Sequence, residues 1–199
     1  FLLVTIVAST LAAGSLAVFN FANNLQSLPL GIFGVSFAVA ALPFLSELAA
    51  RKKTDDFVRT FSAAFRQTIF FIAPFAVLLY VLRALIVRVI LGSGNFDWYD
   101  TRLTAASLAI FALGLFAQGV LPLLVRGFYA LHNSKTPFYI GIFSFIANIL
   151  ALGFFRWVFG FNNWCSFFTV AILKITDLWG LGDLRVLALP AAISVSSIF

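Results

Sequence analysis

The sequence predicts an all-α, polytopic transmembrane helical bundle of about six spans, the first and last truncated, and three observations carry that expectation. The 199 residues are 62% hydrophobic and 10% charged, with a mean hydropathy of +1.07, whereas soluble domains are roughly 45–50% apolar and 25% charged. No charged residue precedes Glu47, and at about 20 apolar residues per crossing that stretch holds more than one span. The cations gather in loops that alternate with acidic or neutral ones, as the preference of Lys and Arg for the cytoplasmic side requires.

Residues 1–11 form the end of a first span, and Ala12, Ala13, Gly14 and Ser15 make a turn. A long helix over 15–50 follows. At 1.5 Å per residue it exceeds a hydrocarbon core of about 30 Å, so it must tilt, bend at Pro29 or project from the membrane. Arg51, Lys52, Lys53, Thr54, Asp55 and Asp56 form a polar loop, and the third span covers 61–91, with Arg83 and Arg88 placed to snorkel to the far interface. Gly92, Ser93, Gly94 and Asn95 make the next turn, and Asp100 or Thr101 is expected to cap a fourth span over 101–131. Thr136 and Pro137 suit a helix cap and first turn, which starts a fifth span over 137–159. Residues 160–185 are too short and too polar to cross and are expected to be interfacial or re-entrant. A sixth span begins at 186 and is cut off at 199. Both ends lie in apolar runs, and no basic start of a secretory signal precedes the first, so the sequence reads as an internal piece of a longer polypeptide.

The same composition narrows the chemistry. Cys165 is the one cysteine, which excludes an internal disulfide and leaves a packing role; His132 lies in a polar loop, and no metal site is expected. The net charge of +6 sits at loop edges rather than on an aromatic-studded face, which argues against nucleic acid and for the anionic headgroups of membrane lipids. The acidic residues pair with no His or nucleophile at useful spacing, and the Gly92 turn lacks a Walker lysine. No catalytic residue and no cofactor is therefore expected, and an enzyme is the weaker hypothesis.

Polar residues inside the spans are the functional candidates. Asn20, Asn23, Asn24 and Ser27 recur at helical spacing on one face of the second helix, with Gly31 and Gly34 extending near it. Amides are costly against lipid, so they line either a hydrated cavity or an interhelical contact worth about 0.6 kcal/mol each. In the fourth span Gly114, Gln118, Pro122 and Arg126 share a stripe; Gln118 is a cavity candidate, and Arg126 suits either a phosphate or a headgroup anchor. Gly141, Ser144 and Asn148 repeat the pattern in the fifth span and are expected to serve packing. Pro29, Pro43, Pro74, Pro122 and Pro190 fall inside apolar runs, and kinks are expected, above all at Pro29, Pro74 and Pro122. Kinked helices around a polar cavity are what transporters use.

Three segments carry a family resemblance: GSLAVFNFANNLQSLPLGIFGVSFAVAALPFLSELAA from Gly14 to Ala50, LGSGNFD from Leu91 to Asp97, and LLVRGFYALHNSKTP from Leu123 to Pro137. In order and spacing they resemble the MurJ (MviN) lipid II flippases, of the multidrug/oligosaccharidyl-lipid/polysaccharide exporter superfamily. The resemblance implies a C-terminal six-helix lobe, entered within its seventh helix and left within its twelfth, in the bacterial cytoplasmic (inner) membrane. It further implies a lipid-linked polar substrate, lipid II, moved by alternating access against a missing N-terminal lobe, with coupling to membrane potential or an ion. One departure stands out: the family usually places a cavity arginine where this sequence has Asn24, and some members have a serine where it has Ala17. Asn24 offers neutral hydrogen bonds where an arginine would pair with pyrophosphate. Another exporter of the superfamily, multidrug or lipid-linked oligosaccharide, and a non-transporting scaffold with a degenerate cavity are the alternatives.

Overall fold

The computed structural model describes residues 14–91, 98–161 and 184–197. Those residues are helical apart from short turns. Helix α1 (Ser15–Pro29) leads through a π-helical stretch (Leu30–Val35) into α2 (Ser36–Ala50); α3 (Thr54–Leu91), α4 (Trp98–Ala130) and α5 (Lys135–Phe161) follow, then a 3-10 turn (Leu184–Leu187) and α6 (Ala188–Ser196). Among the described residues, Ser15–Ala50, Thr54–Leu91, Asp100–Ala130 and Lys135–Phe154 are long and apolar enough to cross a membrane. The span expected over 1–11 and most of the segment expected to be interfacial lie outside the described residues.

Proline marks the clearest difference between expectation and structure. At Pro29 the rod changes from α to π geometry rather than breaking. Proline has no N–H and its ring crowds the preceding turn, and a change of hydrogen-bond register is one way to absorb that. Ser36 Oγ donates back to the Gly31 carbonyl five residues earlier (3.3 Å), which ties the wide turn to α2. Pro43, Pro74 and Pro122 lie within α2, α3 and α4, and all three helices run through them. Pro190 is the third residue of α6, in the first turn, where the helix has no use for its N–H; it is a helix start rather than an internal kink.

The helix ends also correct the sequence reading. α4 begins at Trp98, so Asp100 sits in its first turn, favourable to the helix dipole, and neither Asp100 nor Thr101 is the cap. At α5 the capping residue is Asn133: its Oδ1 accepts the Thr136 N–H (3.2 Å) and its Nδ2 donates to Thr136 Oγ1 (2.9 Å). Thr136 thus answers a cap instead of providing one. The two basic loops stop their helices in the same way. After α2 the Lys52 N–H donates to Ala49 O and the Lys53 N–H to Leu48 O; after α4 the His132 N–H donates to Tyr129 O and the Asn133 N–H to Phe128 O. These paired bonds are Schellman motifs, with Lys52 at φ 54° and His132 at φ 55° in the left-handed position that glycine usually fills.

Helix α4 is the centre of the described bundle. From Thr101 to Ala112 every residue is buried except half-buried Arg102 and Ile110, and α1, the π stretch, α2, α3 and α6 all pack on it. Half of the most apolar part of α4 is buried inside the protein, against 6% for α5. Phe19 of α1 meets Phe111 of α4 with ring centroids 5.8 Å apart, in a core with Ile72, Leu115 and Leu189. Outward, large apolar side chains face open space: Phe70 is 73% exposed, Val89 82% and Leu150 67%. An apolar belt of that kind belongs in hydrocarbon, where all backbone polar groups are satisfied within the helices.

The left-handed cost at the two helix ends gives a first prediction. An L-residue there costs roughly 1–2 kcal/mol, and glycine recovers part of it after its larger entropy loss. Lys52→Gly and His132→Gly are each expected to stabilise the protein by about 0.5 kcal/mol, measured as a higher midpoint in detergent thermal melts; alanine at either position should bring no gain.

Candidate functional site

The rod formed by α1, the π stretch and α2 has one side against α3 and α4 and one side open. At about 100° per residue, Asn20, Asn24, Ser27 and Gly31 fall within about 60° of one another round the helix, and all four are exposed. Ser27 Oγ turns back to the Asn24 carbonyl (2.7 Å), so the outermost groups of this face are the two asparagine amides. Ala17 is exposed one turn before Asn20, and the face carries no charge.

Asn23 does not share that face. It lies about 100° round the helix from Asn24, is half-buried, and its Oδ1 accepts from Gln26 Nε2 (3.2 Å). The same Gln26 nitrogen donates to Gln118 Oε1 on α4 (3.3 Å). Gln118 is likewise half-buried, so the structure separates the expected cavity set into an open face of Asn20, Asn24 and Ser27 and an interior cluster of Asn23, Gln26 and Gln118. Gln26, 2% exposed, is the residue that sequence reasoning passed over. Its signal was present: it is an amide inside an uncharged span, three residues from Asn23.

The π stretch fixes both groups in place. Gly34 packs so closely on α4 that a Cβ there would lie 2.8 Å from the Gly119 carbonyl oxygen, while on the other side Phe33 stacks on Phe71 of α3 (5.3 Å, 3° between planes) and meets Phe75 at 4.9 Å. Gly34 therefore belongs to the packed side, and only Gly31, with nothing near its Cβ position, continues the open face. Where the π stretch ends, Arg126 Nη1 donates to the Val35 carbonyl (3.0 Å). One donor of this half-buried guanidinium thus clips α4 to the rod, a use the phosphate and headgroup readings did not include; a guanidinium carries five donors.

Of the remaining small and polar residues, Gly114 packs so closely on Ser194 of α6 that a Cβ there would lie 2.7 Å from the serine side chain, and Asn148 Nδ2 donates to Ser196 Oγ (3.0 Å). Both serve helix packing. Gly141 does not, since its Cβ position is open; it lines an apolar cleft of about 550 Å³ between α4 and α5 that includes Phe116, Leu124, Phe128 and Ser144. No group of three His, Cys, Asp or Glu that could hold a metal occurs among the described residues.

An apolar lobe with one neutral, amide-bearing helix face open to the outside defines a multi-pass α-helical membrane protein with a polar surface inside its hydrophobic belt. The family model described as "Lipid II flippase MurJ" matches residues 1–167, and the chain belongs to that family. It is 30% identical over 155 residues to the probable lipid II flippase MurJ of Vibrio cholerae, covering 78% of this chain and 30% of that protein. To the Thermotoga maritima protein of the same description it is 33% identical over 151 residues, 74% of this chain and 31% of the relative. A solved structure titled "Lipid II flippase MurJ, inward closed conformation" superposes with a TM-score of 0.72 at 26% identity, over 96% of this chain and 35% of that one. The chain spans about a third of the length of these relatives.

The close approach at the π stretch predicts opposite outcomes for two neighbouring glycines. Gly34→Ala forces a methyl against the backbone of Gly119 and should destabilise by about 1–3 kcal/mol. Gly31→Ala meets nothing and should leave stability equal or raised by up to about 1 kcal/mol. Thermal melts of the purified protein check both.

Proposed function

We propose that this chain is one lobe of a lipid II flippase of the MurJ kind, working by alternating access in the bacterial cytoplasmic membrane. The observation that carries the reading is the open face of Asn20, Asn24 and Ser27 within the hydrophobic belt, taken with family membership. An amide without partners in hydrocarbon costs roughly 4–8 kcal/mol against an alkane reference, so a lipid-facing role for two adjacent asparagines is heavily disfavoured. A hydrated passage shared with a second lobe removes that cost.

On this reading the pyrophosphate and sugars of a lipid-linked precursor pass along the α1 face through water, and the lipid tail stays in the bilayer. The face of this lobe contributes neutral hydrogen bonds through Asn20 and Asn24. Arg126 steadies the rod at the π stretch and turns its further donors to an anionic group at the cytoplasmic mouth. Positive charge for the pyrophosphate then comes from the second lobe, and the driving force comes from membrane potential or an ion rather than from a bound cofactor or a catalytic step. The alternatives of a cation exporter and a scaffold are less economical: an exporter of cations needs anionic groups in the passage, and the α1 face has none.

The test replaces the host's own flippase with the gene carrying this chain and measures lipid II at the outer leaflet. Parent protein should restore it, Asn20→Leu combined with Asn24→Leu should cut it at least tenfold at equal membrane abundance, and Asn24→Gln should retain most of it. Failure of the parent to restore lipid II while it exports a cationic dye would move the assignment to a different exporter. A large gain on Asn24→Arg would favour a degenerate cavity.

A further inference from the structure

Gln26 and Gln118 face each other with only one of the two hydrogen bonds that a pair of primary amides can exchange. Gln26 Nε2 uses both of its hydrogens, one to Asn23 Oδ1 and one to Gln118 Oε1. That leaves Gln26 Oε1 and Gln118 Nε2, both inaccessible from outside, without a partner in the protein. Leaving a buried donor and a buried acceptor unmade carries the desolvation penalty of each group with nothing to offset it, and buried polar groups in native proteins are satisfied by protein or by ordered water.

The orphaned atoms select their ligand. Turning all three amides over together exchanges donors for acceptors along the cluster, and it again leaves one donor and one acceptor, on the same two side chains. A cation would satisfy the oxygen and oppose the NH2 group; an anion would do the reverse. A small neutral group that donates and accepts at once answers both. We propose that Gln26 Oε1 and Gln118 Nε2 form a binding site for a single buried water molecule, which donates to the first and accepts from the second. Globular proteins hold about one such water per 27 residues, each bound by two to four polar partners.

This site has a place in the architecture. It joins α1 to α4 ahead of the Gly34–Gly119 contact, and through Asn23 it adjoins the open face that carries Asn20 and Asn24. The water adds a second bridge beside the direct Gln26–Gln118 hydrogen bond, so the cluster holds α1 to α4 in register through two polar links instead of one.

Determining the structure of the protein purified from its membrane, at a resolution that shows ordered water, tests the site directly. The expected result is one spherical density within about 2.6–3.2 Å of both Gln26 Oε1 and Gln118 Nε2, unchanged when sodium is replaced by choline. The inference is overturned by the two amides in reciprocal contact, by an empty site, or by density with several oxygen ligands that follows the sodium concentration. Melting midpoints give an independent arm. Gln118→Leu and Gln26→Leu should each lower the midpoint by about 3–6 °C, and the double variant should lose less than the two losses added. Additive losses would also count against a shared ligand.

Discussion

The contact on which the lobe depends is the meeting of two backbones, at Gly34 in the π stretch and Gly119 in α4. A Cβ on Gly34 would collide with the Gly119 carbonyl, and one on Gly119 would collide with the Ile72 side chain of α3. Three helical elements therefore close on a point where no side chain fits. Membrane helices gain little from hydrophobic contact with one another, since lipid is equally apolar, so close packing of small residues and interhelical hydrogen bonds hold them together. Ala22, Ala38 and Ala41 extend this approach along the rod, and Arg126 secures the π stretch with a hydrogen bond to Val35. With one side of the rod committed in this way, Asn20, Asn24 and Ser27 can only point the other way.

The consequences for function follow from that commitment. Because Phe33 and Gly34 anchor the wide turn to α3 and α4, the polar face is presented by a supported helix rather than by a loop, and its amides keep their spacing. The interior amides do different work. Gln26 takes Asn23 out of the open face and ties it to Gln118, so that polar groups close in sequence serve separate ends: two asparagines face outward, and three amides bind helix to helix. The open face is neutral, so the groups it offers are hydrogen-bonding amides and a hydroxyl rather than charges.

Much of this was legible in the sequence, for physical reasons. An all-helical membrane bundle follows from composition because hydrocarbon allows few other ways to satisfy a backbone, and the spacing of Asn20, Asn24 and Ser27 places them together by helical geometry alone. Helical geometry does not say where the neighbouring helix lies, so spacing alone reveals neither the Asn23–Gln26 bond nor the contact of Gln26 with α4. Proline in a membrane helix is equally ambiguous: the same residue type precedes a π turn at Pro29, sits within continuous helices at Pro43, Pro74 and Pro122, and lies in the first turn of a helix at Pro190. The Asn133 cap and the left-handed Lys52 and His132 depend on bonds between residues that the sequence leaves unconnected. Gly141 is a packing residue by type, and only the open cleft beside it among the described residues shows otherwise.

The central claim is that water reaches one face of α1 inside the hydrophobic belt, and site-directed labelling from the aqueous phase tests it most directly. With Cys165 replaced by serine, single cysteines at Asn20, Asn24 and Ser27 are treated in intact membranes with a membrane-impermeant thiol reagent, alongside cysteines at exposed Phe70 and Val77 of the apolar belt. The account predicts rapid modification at the three α1 positions in at least one state of the transport cycle and none at Phe70 or Val77. Equal protection of all five positions in every state would mean that no hydrated passage borders this helix.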